Sequence, residues 1–182
     1  MIFRHTPVLG APLVVLEEHA DSRGFFARIF CERECAEQGL TSRFVQANLS
    51  HNTRKGTLRG LHMQTPPHEE AKLVRCVRGA IFDVVVDLRA DSPTYLKWYG
   101  AELTAENRLA LYIPEGCAHG FQTLTADTDI LYFVSEFYVP GAEQGYLYDD
   151  PAFGIEWPLP VSVISTKDAG WKPYSSTQVQ SE

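Results

Sequence analysis

Apolar residues in this chain recur mostly in short runs with a period near two, the spacing of side chains that alternate between the faces of a β-strand. "KLVRCV" (72–77) alternates loosely, Arg78-Gly79 supplies a turn, and "AIFDVVVDLR" (80–89) is β-branched and aromatic, so the two segments predict a hairpin. "WYGAEL" (98–103) and "LALYIP" (109–114) predict a second pair around the Glu106-Asn107-Arg108 turn. "DILYFVSEFYV" (129–139) predicts a further strand, and Asp91-Ser92-Pro93 punctuates between strands. Only "CERECAEQGL" (31–40) reads as helix, ending at Gly39 as a C-terminal cap. Many short strands with turn signals indicate a mainly β fold, an antiparallel sandwich or barrel with few helices. Neither a repeat nor a linker divides the chain, so residues 1–182 are expected to form one domain with a flexible polar tail over 174–182.

Composition narrows the partners. A 45% hydrophobic, 21% charged chain of 182 residues has enough apolar surface to build one core, and a net charge of −7 argues against a nucleic-acid surface, although a nucleotide could use a local basic pocket. No apolar run reaches bilayer length, and the first residues lack the order of a secretory signal, so a cytoplasmic protein without membrane contact is expected. Cys31, Cys35, Cys76 and Cys117 form no CxxC pair and read as reduced structural thiols.

Within that frame the polar residues inside apolar strands become the candidates for chemistry. Lys72, Asp83, Asp87 and Tyr132 lie in or beside such strands, where a polar side chain is either paired or lines a cavity. Taken alone, His62 in "TLRGLHMQ" is most simply a packed histidine. Together with Lys72, His119 and Tyr132, all able to share an interior face, it becomes a candidate base near neutral pH. Asp168 in "STKD" is a candidate to orient it. Lys72 is either a snorkelling strand-end lysine or a fixed charge for a developing oxyanion; Tyr132 is either a packed phenol or a proton donor. Arg23 and Arg59 each precede a glycine and can reach phosphate over open backbone, and Gln46 and Asn48 add neutral hydrogen-bonding groups, so an anionic, polar ligand is indicated. With neither a P-loop nor GxGxxG, a nucleotide would be substrate and not a Rossmann-bound cofactor.

"IPEGCAHGF" (113–121) resembles the second motif of cupins, whose histidine is often a metal ligand. A site of His62, His119 and Glu70 would be a poor one. Gln64 stands where metal cupins place a second histidine, and the cation Lys72 follows. No metal is expected.

The wider set of motifs carries a stronger resemblance. "GTLRGLHMQ", "AKLVRCVRGAIFDVVVDLRADSPT", "IPEGCAHGF", "LYFVSEFYVPGAEQG", "DDPAFGIEWP" and "STKD", in this order from "DSRGFF" onward, resemble the dTDP-4-dehydrorhamnose 3,5-epimerase family. The resemblance implies a cupin-like antiparallel β-barrel (jelly roll) without cofactor or metal, usually a homodimer that exchanges N-terminal strands. The substrate it implies is a nucleotide-linked, specifically dTDP-linked, 4-keto-6-deoxyhexose. By the same resemblance His62 is the proton acceptor, Asp168 its orienting partner, Tyr132 the proton donor and Lys72 the residue facing the C4 oxygen. Arg23, Gln46, Asn48, Arg59, His119, Glu143 and Lys167 match substrate contacts, and Tyr138 stacks near the base. Asp83 is expected to pair with His119. Arg28 departs from a usual glutamate on the nucleotide side, Met63 from an aromatic and Phe133 from a lysine, and "SHNTRKG" is one residue longer than common forms. The alternatives are an epimerase acting at C3 or C5 alone, a metal-dependent cupin, and a sugar-nucleotide-binding cupin without catalysis.

Overall fold

A computed structural model describes residues 1–174. Two antiparallel sheets face each other. One runs, in spatial order, β1 (Ile2–Arg4), β2 (Leu13–Val15), β10 (Ala110–Ile113), β7 (Lys72–Arg78), β12 (Thr128–Val134) and β5 (Gln46–Asn52). The other runs β13 (Glu143–Gly145), β6 (Leu58–Gln64), β11 (Cys117–Thr123), β8 (Ala80–Asp87) and β9 (Trp98–Thr104). Among the described residues a separate hairpin of β3 (His19–Asp21) and β4 (Gly24–Phe26) pairs only with itself, and the helices are short: α1 (Glu32–Glu37) and α2 (Thr166–Ala169). With its two facing sheets this is the cupin-like, mainly β architecture expected from the strand pattern.

Connectivity corrects two expectations. The segments flanking Arg78-Gly79 are not a hairpin: β7 pairs with β10 and β12, whereas β8 pairs with β11 and β9 in the facing sheet. The pair around Glu106-Asn107-Arg108 is likewise split, with β9 in one sheet and β10 in the other. Burial is the physical reason. Ile81 and Val85 of β8 point into the core between the sheets with Val74, Leu111 and Ile130, while Val84 and Val86 pack outward under Tyr146, Phe153 and Ile155. A strand covered on both faces needs a continuous apolar run, and a turn that changes sheets supplies both covers.

The outer face of the six-stranded sheet is closed by α1 and its flanks, where Phe30, Leu40 and Phe44 pack with Leu73, Tyr112 and Phe133. The helix stops as the sequence indicated, Gly39 adopting φ +70 and donating from its N–H to the Ala36 carbonyl. The run "DILYFVSEFYV" leaves the sheet at Val134. Its remainder becomes a loop held by Gln64, which donates from Nε2 to the Phe137 carbonyl at 3.1 Å and accepts from the Val139 N–H at 2.8 Å. Tyr174, first residue of the expected tail, is instead fixed: its ring packs against Tyr146 and Phe153 and its hydroxyl meets that of Tyr95. An aromatic at that position finds an apolar socket; positions 175–182 lie outside the described residues.

Between β6 and β11 the pairing slips. His119 lies opposite His62 but Phe121 lies opposite Arg59, so β6 spends three residues where β11 spends two. Gly60 makes this possible, with φ +116 and its backbone pressed so close that an added Cβ would sit 2.5 Å from Gly120 Cα and 2.7 Å from the His119 carbonyl. Gly60→Ala should therefore cost more than about 3 kcal/mol in chemical denaturation, combining backbone strain with overpacking. Gly154→Ala, at φ +62 with nothing within 4 Å of the new Cβ, should lose only about 1–2 kcal/mol. An equal loss in both would rule out the close approach as the cause.

Candidate active site

The slip in β6 puts Arg59 and His62 on one face. Three residues apart in a regular strand they would point to opposite faces; with the extra residue both line a cavity between the sheets. The cavity has two adjoining lobes, about 490 and 230 Å³, with His62, Lys72 and Tyr132 lining both. His62 and His119 rise from the five-stranded sheet, Lys72 and Tyr132 from the six-stranded sheet facing it.

His62 is held by the C-terminal segment. Val163 bridges to Thr57 and accepts from the Leu58 N–H, which lays the segment along the start of β6 and delivers α2 to the cavity. Ser165 caps α2 by accepting from the Asp168 N–H at 2.9 Å. Asp168 Oδ1 in turn accepts from His62 Nε2 at 2.7 Å, with the Asp168 side chain only 5% exposed. Burial would raise the Asp168 carboxyl, but the hydrogen bond and charge of His62, with help from the Gly60 N–H and Ser165, outweigh it and hold the group below its ordinary value. An acceptor on Nε2 keeps the ring proton there and leaves the Nδ1 lone pair for a substrate proton.

A second histidine is oriented in the same way. Asp83, fully buried in β8, accepts from His119 Nε2 at 2.8 Å, which is the pairing expected from its place in an apolar strand. The Tyr132 phenol is pushed up by burial and by the Glu70 charge, against an opposing pull from Arg59, so it stays protonated and able to donate. Lys72, 9% exposed, is paired at 2.9 Å with Glu70. Lys167 is paired with Glu143, whose other oxygen lies 3.9 Å from His62 Nε2. Arg59 donates from Nε to the neutral Asn52 Oδ1 at 2.8 Å and, among the described residues, forms no ion pair, so its charge is available to an anion.

Most of the expected residues converge. Arg59, His119, Lys167 and Asp168 line the larger lobe; Gln46, Asn48, Tyr138 and Glu143 line the smaller, with Gln46 Oε1 accepting from the Tyr138 N–H at 2.9 Å. Arg23 does not join them within one chain. It sits on the exposed β3–β4 hairpin, 88% exposed and bonded to Asp21, because that hairpin leaves both sheets. Arg28 is bonded to Glu34 beside α1, away from both lobes. The set expected for a metal fits one badly. Each histidine gives its Nε2 to a carboxylate, Glu70 is committed to Lys72, and among the described residues no three His, Cys, Asp or Glu groups converge.

Some contributors escaped the sequence reading. Ser165 was legible as the first member of a capping pattern three residues before Asp168. Gln64, two residues after His62 and so on its face, is a buried hub fastening the 135–139 loop. Thr57 and Val163 carried no signal, since their bridge is purely tertiary.

A cavity between two sheets, with a carboxylate-oriented imidazole on one wall and a protonated phenol beside an ammonium on the other, defines a cupin-type enzyme of proton transfer, an isomerase by its chemistry. The comparisons make the class specific. A model of the dTDP-4-dehydrorhamnose 3,5-epimerase family matches residues 5–176. The chain is 45% identical over 180 residues to the dTDP-4-dehydrorhamnose 3,5-epimerase of Methanothermobacter thermautotrophicus, covering 97% of this chain and 96% of that protein. The crystal structure of the same-named enzyme from Elizabethkingia anophelis superposes with TM-score 0.93 at 37% identity over 96% of each chain. A Legionella pneumophila epimerase solved with dTDP-4-keto-L-rhamnose gives TM-score 0.88 at 40% identity, over 94% of this chain and 92% of that one. This chain belongs to the dTDP-4-dehydrorhamnose 3,5-epimerase family.

Asp168→Asn should cut turnover about a hundredfold or more in steady-state assays, because the wrong tautomer would point at the substrate. A carboxyl held below its usual 3.8 adds stability that is present above that pH and is lost as pH falls through the lower native value. Acid unfolding of Asp168→Asn should therefore be less steep below about pH 4 than that of the wild type. Asp83→Asn should also slow turnover; an unchanged rate would remove the orienting role of Asp83.

Proposed function

We propose that this protein epimerises dTDP-4-dehydro-6-deoxy-D-glucose at C3 and C5 to dTDP-4-dehydro-L-rhamnose, with neither metal nor cofactor. The reading is carried by the placement of His62 and Tyr132 on facing sheets around one cavity. The C4 carbonyl acidifies the hydrogens on C3 and C5. His62 takes one through Nδ1, leaving an enolate whose oxygen is stabilised by the Lys72 ammonium. Tyr132 gives its proton to the carbon from the opposite face, inverting the centre, and solvent then restores both side chains. Asp168 keeps the imidazole in register throughout, as a positioning residue.

Arg59, Lys167, Gln46, Asn48 and Glu143 bind the nucleotide diphosphate and sugar hydroxyls, His119 holds the sugar, and Tyr138, 60% exposed at the rim, stacks on the base. Arg23 is supplied by a second copy in a homodimer. The support is its hairpin, which among the described residues pairs with neither large sheet and leaves Phe26 69% exposed. No helix among the described residues is long and apolar enough to cross a membrane, and cytoplasmic location is part of the same proposal.

Incubation with dTDP-4-keto-6-deoxyglucose in deuterated water should place label at both C3 and C5 by NMR. Label at one carbon alone would overturn the double epimerisation in favour of a single-site epimerase. His62→Ala should abolish exchange, whereas Tyr132→Phe should retain exchange and lose inversion; the reverse pattern would exchange the two roles.

A further inference from the structure

Glu70 is unaccounted for by the chemistry above. It lies in the turn before β7 and lines the smaller lobe together with His62, Lys72 and Tyr132. Its Oε1 is 2.9 Å from Lys72 Nζ, and the two side chains are only 13% and 9% exposed, so the pair is little screened by water. Its other oxygen lies 3.4 Å from Gln64 Nε2. The two N–H groups of that amide, on a residue 3% exposed, serve the His68 and Phe137 carbonyls at 3.1 Å. The Lys72 ammonium is thus the strong partner of this carboxylate, with the Gln64 amide packed behind it.

We propose that Glu70 is a positioning residue for the epimerisation, holding the Lys72 ammonium against the wall between imidazole and phenol and placing a fixed negative charge beside Tyr132. A lysine on four rotatable bonds, left without an acceptor, would sample positions in both lobes. Glu70 restricts it to the one from which it meets the enolate oxygen, a preorganisation that acts on the transition state more than on substrate affinity. The same carboxylate opposes formation of tyrosinate, so the phenol keeps its proton to a higher pH. The remaining charged and titratable groups around the phenol are Lys72 from β7, Arg59 and His62 from β6, His119 from β11, Tyr138 from the loop after β12, Glu143 from β13, and Lys167 and Asp168 from α2. They are common to wild type and variants.

The inference rests on the epimerase reading, and three proteins test it: wild type, Glu70→Ala and Glu70→Gln, each followed by kcat, KM, dTDP affinity and the pH profile of kcat. Glu70→Ala loses acceptor and charge, and its kcat should fall roughly tenfold with KM and dTDP affinity little changed. Glu70→Gln keeps an acceptor for Lys72 and should recover most of kcat. In both variants the alkaline limb should move to lower pH, since the phenol then ionises more readily. Wild-type kcat in Glu70→Ala, or a Glu70→Gln profile coincident with wild type, would overturn the proposal. So would a loss in Glu70→Ala that Glu70→Gln does not repair and that dTDP affinity shares. If Glu70→Ala does not fold, the pH profile of Glu70→Gln decides. Wild-type protein without turnover or exchange would instead sink the epimerase reading itself.

Discussion

Between Arg59 and His62, β6 advances three residues while β11 advances two, and the cavity is organised around that mismatch. Strand geometry alternates faces strictly, so one uncompensated residue moves every following side chain to the other face. Without it, either the base or the Arg59 guanidinium would point out of the cavity. The mismatch requires two backbones to meet almost atom on atom, which is why glycines face each other at positions 60 and 120.

The cavity is rich in charge yet almost locally neutral. His62 faces Asp168, His119 faces Asp83, Lys72 faces Glu70 and Lys167 faces Glu143. Moving single charges into such a space would be costly, and each partner offsets part of that desolvation. The pairs also aim the functional groups. An imidazole with its proton fixed on one nitrogen presents the other as a base, and an ammonium tethered on one side presents its free donors on the other. Arg59, which among the described residues has a neutral partner and no ion pair, carries the charge left over for an anionic ligand.

Support for the base comes from far along the chain. Asp168 is more than a hundred residues from His62 in sequence. It is put in place by the Thr57–Val163 bridge on one side and on the other by Tyr174, seated among aromatic rings, whose N–H donates to Asp150. Close packing makes this precise: the Trp171 ring lies where Gly145 has no side chain, and an added Cβ would stand 2.1 Å from it. The C-terminal segment is thus part of the wall of the cavity as well as its cover.

From the sequence alone the strand content, the short helix ending at Gly39, and the set of ionisable residues inside apolar runs could be read, because periodicity and turn chemistry are local properties. The motif order also pointed to the family, and Asp83, the first aspartate of "AIFDVVVDLR", was correctly matched to His119. Which strands pair was not legible. Two apparent hairpins proved to be crossings between sheets, since the choice depends on what covers the second face of β8, a matter of distant residues. The shared face of Arg59 and His62, the tethering of Lys72 by Glu70 and the isolation of Arg23 on its hairpin were likewise decided by tertiary structure. Each depends on a register, a contact or a missing partner strand that exists only once distant parts of the chain have met.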